Sequence, residues 1–287
     1  MRTVERPTTV AVLDCGPIEY RLERGDGPVV LLFHGGHMRA GLALGEQMFT
    51  DGGYTILAPS RPGYGRTPLS AGPSPAAYAD VVRALCERLG IARVAAVVGV
   101  SAGGPTAVAM AAKHPDLVER LILISAVGRL PWPAPLVRLG SRVTFAPGVE
   151  AGTWAAVRLL MRWSERGALQ LLMGSLSTLL ARHVIGTLTP ADRKTLLALF
   201  GSLRSGRGFV NDLRAVADLS PHVRQPAVVI ASRTDGGVPF AHAESLVAGI
   251  PQATLVESRA ASHFVWFGPD WPAIIERVQR FLHREGT

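Results

Sequence analysis

Cysteine and lysine are nearly absent: the 287 residues include two cysteines, Cys15 and Cys86, and two lysines, Lys113 and Lys194. Two cysteines without metal-ligand spacing exclude a thiolate metal centre and a disulfide-stapled scaffold. Both are expected to be buried as small apolar side chains. Long apolar runs are missing as well. The most apolar stretches, 94–100 and 171–180, fall well short of the roughly 20 residues that cross a bilayer, so no stable membrane insertion is expected. Residues 1–7 lack an apolar run behind a basic start, which predicts a cytoplasmic chain. There is no internal repeat and no low-complexity tract, which excludes solenoids and disordered linkers.

What is present describes a globular protein. Hydrophobic residues make up 48% of the chain and charged residues 18%, enough apolar surface to build a substantial core. The net charge of +8 lies wholly in the middle: residues 128–224 hold 13 basic and 5 acidic side chains. These charges are scattered among apolar residues without a nucleic-acid motif, so they read as a solvated cationic face and no nucleic-acid partner is expected.

The apolar pattern is that of an α/β protein. Residues 9–14 and 18–24 alternate around Gly16-Pro17 as an opening hairpin, and 28–33 is a continuous apolar run ending in His34-Gly35-Gly36. Strand and helix signals then alternate: strand 54–58, helix 74–89, strand 94–100, helix 102–114 and strand 121–125. That rhythm predicts a parallel sheet with crossover helices. From 126 to 225 no strand signal appears. Helix-like stretches separated by Gly and Pro predict an inserted cap, with 154–166 an amphipathic helix bearing Arg158, Arg162 and Arg166 beside its apolar side. Strand 227–232, helix 240–248, strand 254–257 and helix 269–284 resume the pattern. The expected division is a core of 1–126 and 225–287 and a helical cap of 127–224.

The chemistry is concentrated at strand ends. Gly99-Val100-Ser101-Ala102-Gly103 is a Gly-x-Ser-x-Gly turn between a strand and an alanine-rich helix, which holds the serine strained and projects its hydroxyl above the sheet. A serine hydroxyl attacks only when a base takes its proton. Of eight histidines, His263 stands in the loop between the last strand and the last helix, whereas His114, His183, His222, His242 and His283 sit in helical, cap or terminal settings without a partnering motif. The imidazole in turn needs a carboxylate, and Asp235 follows strand 227–232 on a Gly-Gly loop. Alone it is a turn residue; the order Ser, Asp, His makes it the third member of a triad. Backbone N–H groups of Ala102 and of Gly36 or His37 are the candidate oxyanion donors, and His34 is the structural anchor of its loop. In the cap, Trp132, Trp154, Met161, Trp163 and Leu172, together with Phe264 after the histidine, are candidates for an apolar substrate pocket or for packing core.

These elements resemble the α/β-hydrolase superfamily, in its cap-bearing serine esterase-like branch. Beyond the triad, 53–65 resembles the fourth strand and its glycine-rich loop, while 102–121 resembles the elbow helix and sixth strand. The resemblance implies an eight-stranded, mostly parallel sheet flanked by helices, with the cap inserted after strand six. It also narrows the reaction. Dehalogenases and epoxide hydrolases of this superfamily carry aspartate where Ser101 stands. Hydroxynitrile lyases carry lysine where Phe264 stands, and proline iminopeptidases need cap carboxylates, whereas this cap is basic. The expectation is a serine hydrolase acting on a carboxylic ester or lactone of a small hydrophobic molecule, with no metal and no organic cofactor, as a monomer or homodimer. A peptidase or amidase, a C–C hydrolase on the same triad, and a non-hydrolytic ligand-binding member of the fold stay open as alternatives.

Overall fold

The computed structural model describes residues 5–214 and 217–283. Residues 1–4, on which the reading of the amino terminus partly rests, and Arg284, the expected last helical residue, lie outside them.

Eight strands form one sheet in the order β1-β2-β4-β3-β5-β6-β7-β8. The opening hairpin is β1 (Thr9–Leu13) and β2 (Gly16–Glu23), and both of its ladders, to each other and to β4, are antiparallel. β3 (Val29–Phe33), β4 (Thr55–Pro59), β5 (Ala96–Val100), β6 (Leu121–Ile124), β7 (Ala227–Ser232) and β8 (Ala253–Ser258) run parallel. The central strands read as unbroken apolar runs because both faces are covered. In β3, Leu31 and Phe33 face one apolar layer while Val30 and Leu32 face the other, the two-residue period of a pleated strand.

The first layer is closed by α2 (Pro75–Arg88), α3 (Gly104–Lys113) and α10 (Ala241–Gly249); the second by α1 (Gln47–Thr50) and α11 (Trp271–His283). α2 starts where the Ser74 hydroxyl accepts the Ala77 N–H and Pro75 occupies the first turn, a placement that satisfies one orphan donor and needs none from proline. Six α-helices lie between β6 and β7 among the described residues: α4 (Pro135–Thr144), α5 (Glu150–Trp163), α6 (Glu165–Gly174), α7 (Ala181–Thr187), α8 (Pro190–Ser202) and α9 (Gly208–Asp212). The expected single helix over 154–166 is instead two helices broken at Ser164. That residue is extended and its hydroxyl accepts the Gly167 N–H as the cap of α6.

The inserted helices have their own apolar cluster, which includes Trp154, Leu169, Met173, Leu196 and Phe200 and joins Leu42 and Phe264 of the sheet side. α4 differs from its neighbours: none of its residues is buried, and Leu136, Leu139 and Val143 are all exposed. Among the described residues no helix is long and apolar enough to cross a membrane.

Candidate active site

Ser101 directly follows β5 with φ at +51°, the left-handed region that costs a side-chain-bearing residue on the order of 1–3 kcal/mol. Close packing holds it there. A Cβ on Gly99 would come within 2.7 Å of Ala107 Cβ, and one on Gly103 within 2.3 Å of the Phe33 carbonyl oxygen. The two glycines of the Gly-x-Ser-x-Gly motif thus let α3 press against β5 and the elbow press against the end of β3.

Asp235 sits on the loop after β7, its carboxylate wholly buried. Oδ1 accepts the N–H groups of Gly237 and Val238, each at 2.8 Å. Oδ2 lies 2.7 Å from His263 Nδ1. An ionised carboxylate only accepts, so Nδ1 carries a proton and the Nε2 of the neutral ring keeps a free lone pair. The histidine loop is fixed from two sides: the Ser125 hydroxyl donates to the His263 carbonyl at 2.8 Å, and the His263 N–H donates to Leu176 O at 2.8 Å.

Residues 176–178 of the inserted helical segment stitch the two loops together. Besides Leu176 O, Thr178 N–H donates to Thr234 O at 2.9 Å on the acid loop, and Ser177 Oγ donates to Ala261 O at 2.6 Å on the histidine loop. Ser101 and His263 line one cavity of about 430 Å³. Among the described residues no hydrogen bond joins them; contacts of this kind often close only once a substrate is seated.

The loop leaving β3 brings Gly36 and His37 to the same cavity. His37 has φ at +62°. Among the described residues the N–H groups of Gly36 and Ala102 meet neither a loop carbonyl nor a side-chain acceptor. The His37 N–H likewise meets neither among the described residues, so Gly36 and His37 both stay candidates for the second oxyanion donor.

A buried polar network underlies this loop. Arg61 grips Asp212 with two bonds, at 2.6 and 2.9 Å, and donates to the carbonyls of His34 and Gly35 at 2.9 and 3.2 Å. Tyr64 donates to Asp212 at 2.6 Å, and the Arg61 N–H reaches His34 Nε2 at 3.1 Å. Burial alone would lower the Arg61 pKa, but Asp212 reverses the sign and raises it. Burial, then the nearby Arg61 charge, holds His34 well below its ordinary value, so that ring is neutral and structural. Since Arg61 and Asp212 are 151 residues apart, no local signal in the chain pairs them.

The fold corresponds to that of known proteins. A family model of the alpha/beta hydrolase fold matches residues 28–145. The uncharacterized hydrolase YcgS of Bacillus subtilis is 31% identical over 274 residues, covering 93% of this chain and 95% of that protein. The chain belongs to the α/β-hydrolase family. An alpha/beta hydrolase fold protein from Nakamurella multipartita superposes with a TM-score of 0.80 at 24% identity, covering 96% of this chain and 99% of that one. The enol-lactonase of Burkholderia xenovorans LB400 superposes with a TM-score of 0.70 at 22% identity, covering 96% and 100%.

In this α/β-hydrolase the cavity wall is mostly apolar. Trp132, Trp154, Leu172 and Phe264 line it, and Trp132 is anchored by its indole N–H to Gly237 O at 2.8 Å. Two pocket candidates lie elsewhere. Met161 packs against the apolar cluster of the inserted helices, and Trp163, at the end of α5, is 82% exposed. No arginine or lysine among the described residues lines the cavity. Cationic side chains border a second cavity of about 570 Å³, lined by Arg129, Arg138 and Arg214. It shares Trp132 with the first and includes none of Ser101, Asp235 and His263. Cys86 is buried as expected, whereas Cys15 is exposed at the turn of the opening hairpin.

Proposed function

We propose that this α/β-hydrolase cleaves a carboxylic ester or lactone of a small, uncharged hydrophobic molecule through a Ser101 acyl-enzyme. The observation that carries the reading is the buried Asp235–His263 pair at 2.7 Å facing the same apolar cavity as the strained Ser101. His263 Nε2 takes the hydroxyl proton as Ser101 Oγ bonds to the carbonyl carbon. The N–H groups of Ala102 and of Gly36 or His37 receive the charge on the carbonyl oxygen, a contribution of about 100- to 1000-fold per donor. Collapse breaks the carbon–oxygen bond while His263 returns the proton to the leaving alkoxide. Water then attacks the acyl carbon, giving its proton to His263, and the acid is released as Ser101 regains its hydroxyl hydrogen.

The cavity walls support this choice of substrate class. A cavity without a cation has nothing to offset the desolvation of a carboxylate or phosphate, whereas its aromatic and aliphatic lining suits an acyl chain or ring. The enol-lactonase among the superposed proteins is consistent with this choice. Labelling with a fluorophosphonate probe tests the nucleophile: wild type should label and Ser101→Ala should not. A p-nitrophenyl ester series of rising chain length should then show turnover that peaks at intermediate length. A wild-type protein that neither labels nor turns over any ester would instead support a non-hydrolytic ligand-binding role.

A further inference from the structure

The side chain of His37, on the cavity wall, is held by aromatic rings and by a hydrogen bond. Its ring packs against Phe209, with centroids 3.8 Å apart and planes tilted by 32°, and is flanked by Phe145 at 4.5 Å and Trp154 at 5.2 Å. Close ring contacts on three sides restrict the ring plane. Nδ1 lies 2.7 Å from the hydroxyl of Ser205, which is fully buried.

The hydrogen-bond partners of that hydroxyl determine the tautomer. Trp154 Nε1–H donates to Ser205 Oγ at 2.8 Å, and an indole N–H can only donate. Ser205 has one hydroxyl hydrogen, and its only acceptor among the described residues is His37 Nδ1. A buried hydroxyl directs its hydrogen at the acceptor present, because leaving it unmade costs about 1–3 kcal/mol. His37 Nδ1 is then the accepting nitrogen and the ring proton resides on Nε2. The serine is itself held, since its N–H donates to Glu150 Oε2 at 3.1 Å. Burial, with the Arg61 charge second, lowers the ring's pKa to about 3, consistent with a neutral ring. Nε2 meets no protein acceptor among the described residues, and His37 lines the cavity beside Gly36.

We infer that His37 presents its Nε2–H to the cavity as the recognition donor for a second, uncharged oxygen of the substrate, such as a keto, ring-ether or lactone oxygen distinct from the carbonyl attacked by Ser101. A neutral donor suits an uncharged acceptor, and this cavity holds no cation that would favour an anionic one. The ester-cleaving arm of the test rests on the hydrolase reading; the spectroscopic arm does not.

Protein carrying ring-¹⁵N histidine, observed by NMR, should show His37 neutral with its proton on Nε2 from pH 8 to pH 5. The Nε2 resonance should shift when 2-heptanone is added. Ser205→Ala should release the lock and populate the other tautomer. A proton on Nδ1 in wild type, or titration near 6.5, overturns the proposal. In the kinetic arm, ethyl 4-oxopentanoate and ethyl 5-oxohexanoate are compared with ethyl pentanoate and ethyl hexanoate. Wild type should prefer one keto ester by about three- to tenfold in kcat/KM, the range of one neutral hydrogen bond. His37→Phe, which keeps an aromatic ring in that cluster, should bring that ratio towards one, and Ser205→Ala should lower it in part. A ratio unchanged in both variants, or no keto preference in wild type, refutes the subsite. Absence of turnover with every ester counts against the hydrolase reading and leaves the NMR result to decide the donor.

Discussion

Asp235 divides its carboxylate between two tasks: Oδ2 binds His263 Nδ1 at 2.7 Å, and Oδ1 takes two backbone N–H groups of its own loop at 2.8 Å. The second task locks the orientation that the first requires. Asp235→Asn preserves the loop contacts, since an amide oxygen can still accept both N–H groups, but turns an N–H₂ towards Nδ1 and so favours the wrong imidazole tautomer. Turnover of p-nitrophenyl butyrate should fall by about 10⁴-fold while the melting temperature stays near that of wild type. A loss below tenfold would remove Asp235 from the proposed machinery.

The Arg61–Asp212 pair should behave as a buried ion pair whose halves cannot be separated cheaply. Removing one partner leaves an uncompensated charge, which costs about 3–5 kcal/mol. Urea unfolding of Arg61→Met and of Asp212→Leu should register losses of that size, while the double variant should lose less than either single one. Additive losses in the double variant would mean that the two charges do not interact.

Gly103→Ala sets a methyl group 2.3 Å from the Phe33 carbonyl and 2.7 Å from that of His34. Backbone must move to relieve it, which typically costs about 1–3 kcal/mol, and the backbone concerned carries both Ser101 and the loop of Gly36. Fluorophosphonate labelling should slow at least tenfold even at temperatures where circular dichroism reports a folded chain. Labelling at the wild-type rate would contradict the tight elbow.

Acid should destabilise the fold in a histidine-dependent way. With its pKa lowered from 6.5 to about 3, His37 binds a proton more readily in the unfolded chain than in the native one. Stability therefore falls as pH drops from about 6.5 towards 3, by at most about 1.4 kcal/mol per pH unit for this group. His34, also lowered, acts with the same sign. Melting temperatures measured between pH 6.5 and 5 should decline in wild type and decline less steeply in His37→Phe. Parallel slopes would show that the ring does not stay neutral in the native state.

The strands and the three triad candidates were legible because each rests on a local pattern. Apolar runs end in Gly-rich turns at Ser101 and Asp235, and the last strand ends in the loop carrying His263, so strand ends alone bring all three to one side of the sheet. The helical insert was legible only as helical. Apolar spacing runs through Ser164 without marking the break, because a serine inside a helix and a serine capping the next one look alike until the backbone turns. Trp163 was a pocket candidate only as an aromatic side chain of the cap, and the end of α5 turns it to solvent. The contacts that fix His37 and Arg61 reach across 168 and 151 residues, to Ser205 and Asp212, and no period or motif encodes such pairings.

The stitching of residues 176–178 to both the acid loop and the histidine loop restricts how this molecule can breathe. Were the whole insert to swing away from the sheet, it would pull Leu176 O off the His263 N–H and Thr178 off Thr234, so a fully gaping conformer would also be a disarmed one. The same cavity wall also includes Val137 and Ser141 of α4, a helix that buries none of its residues and shares none of this stitching.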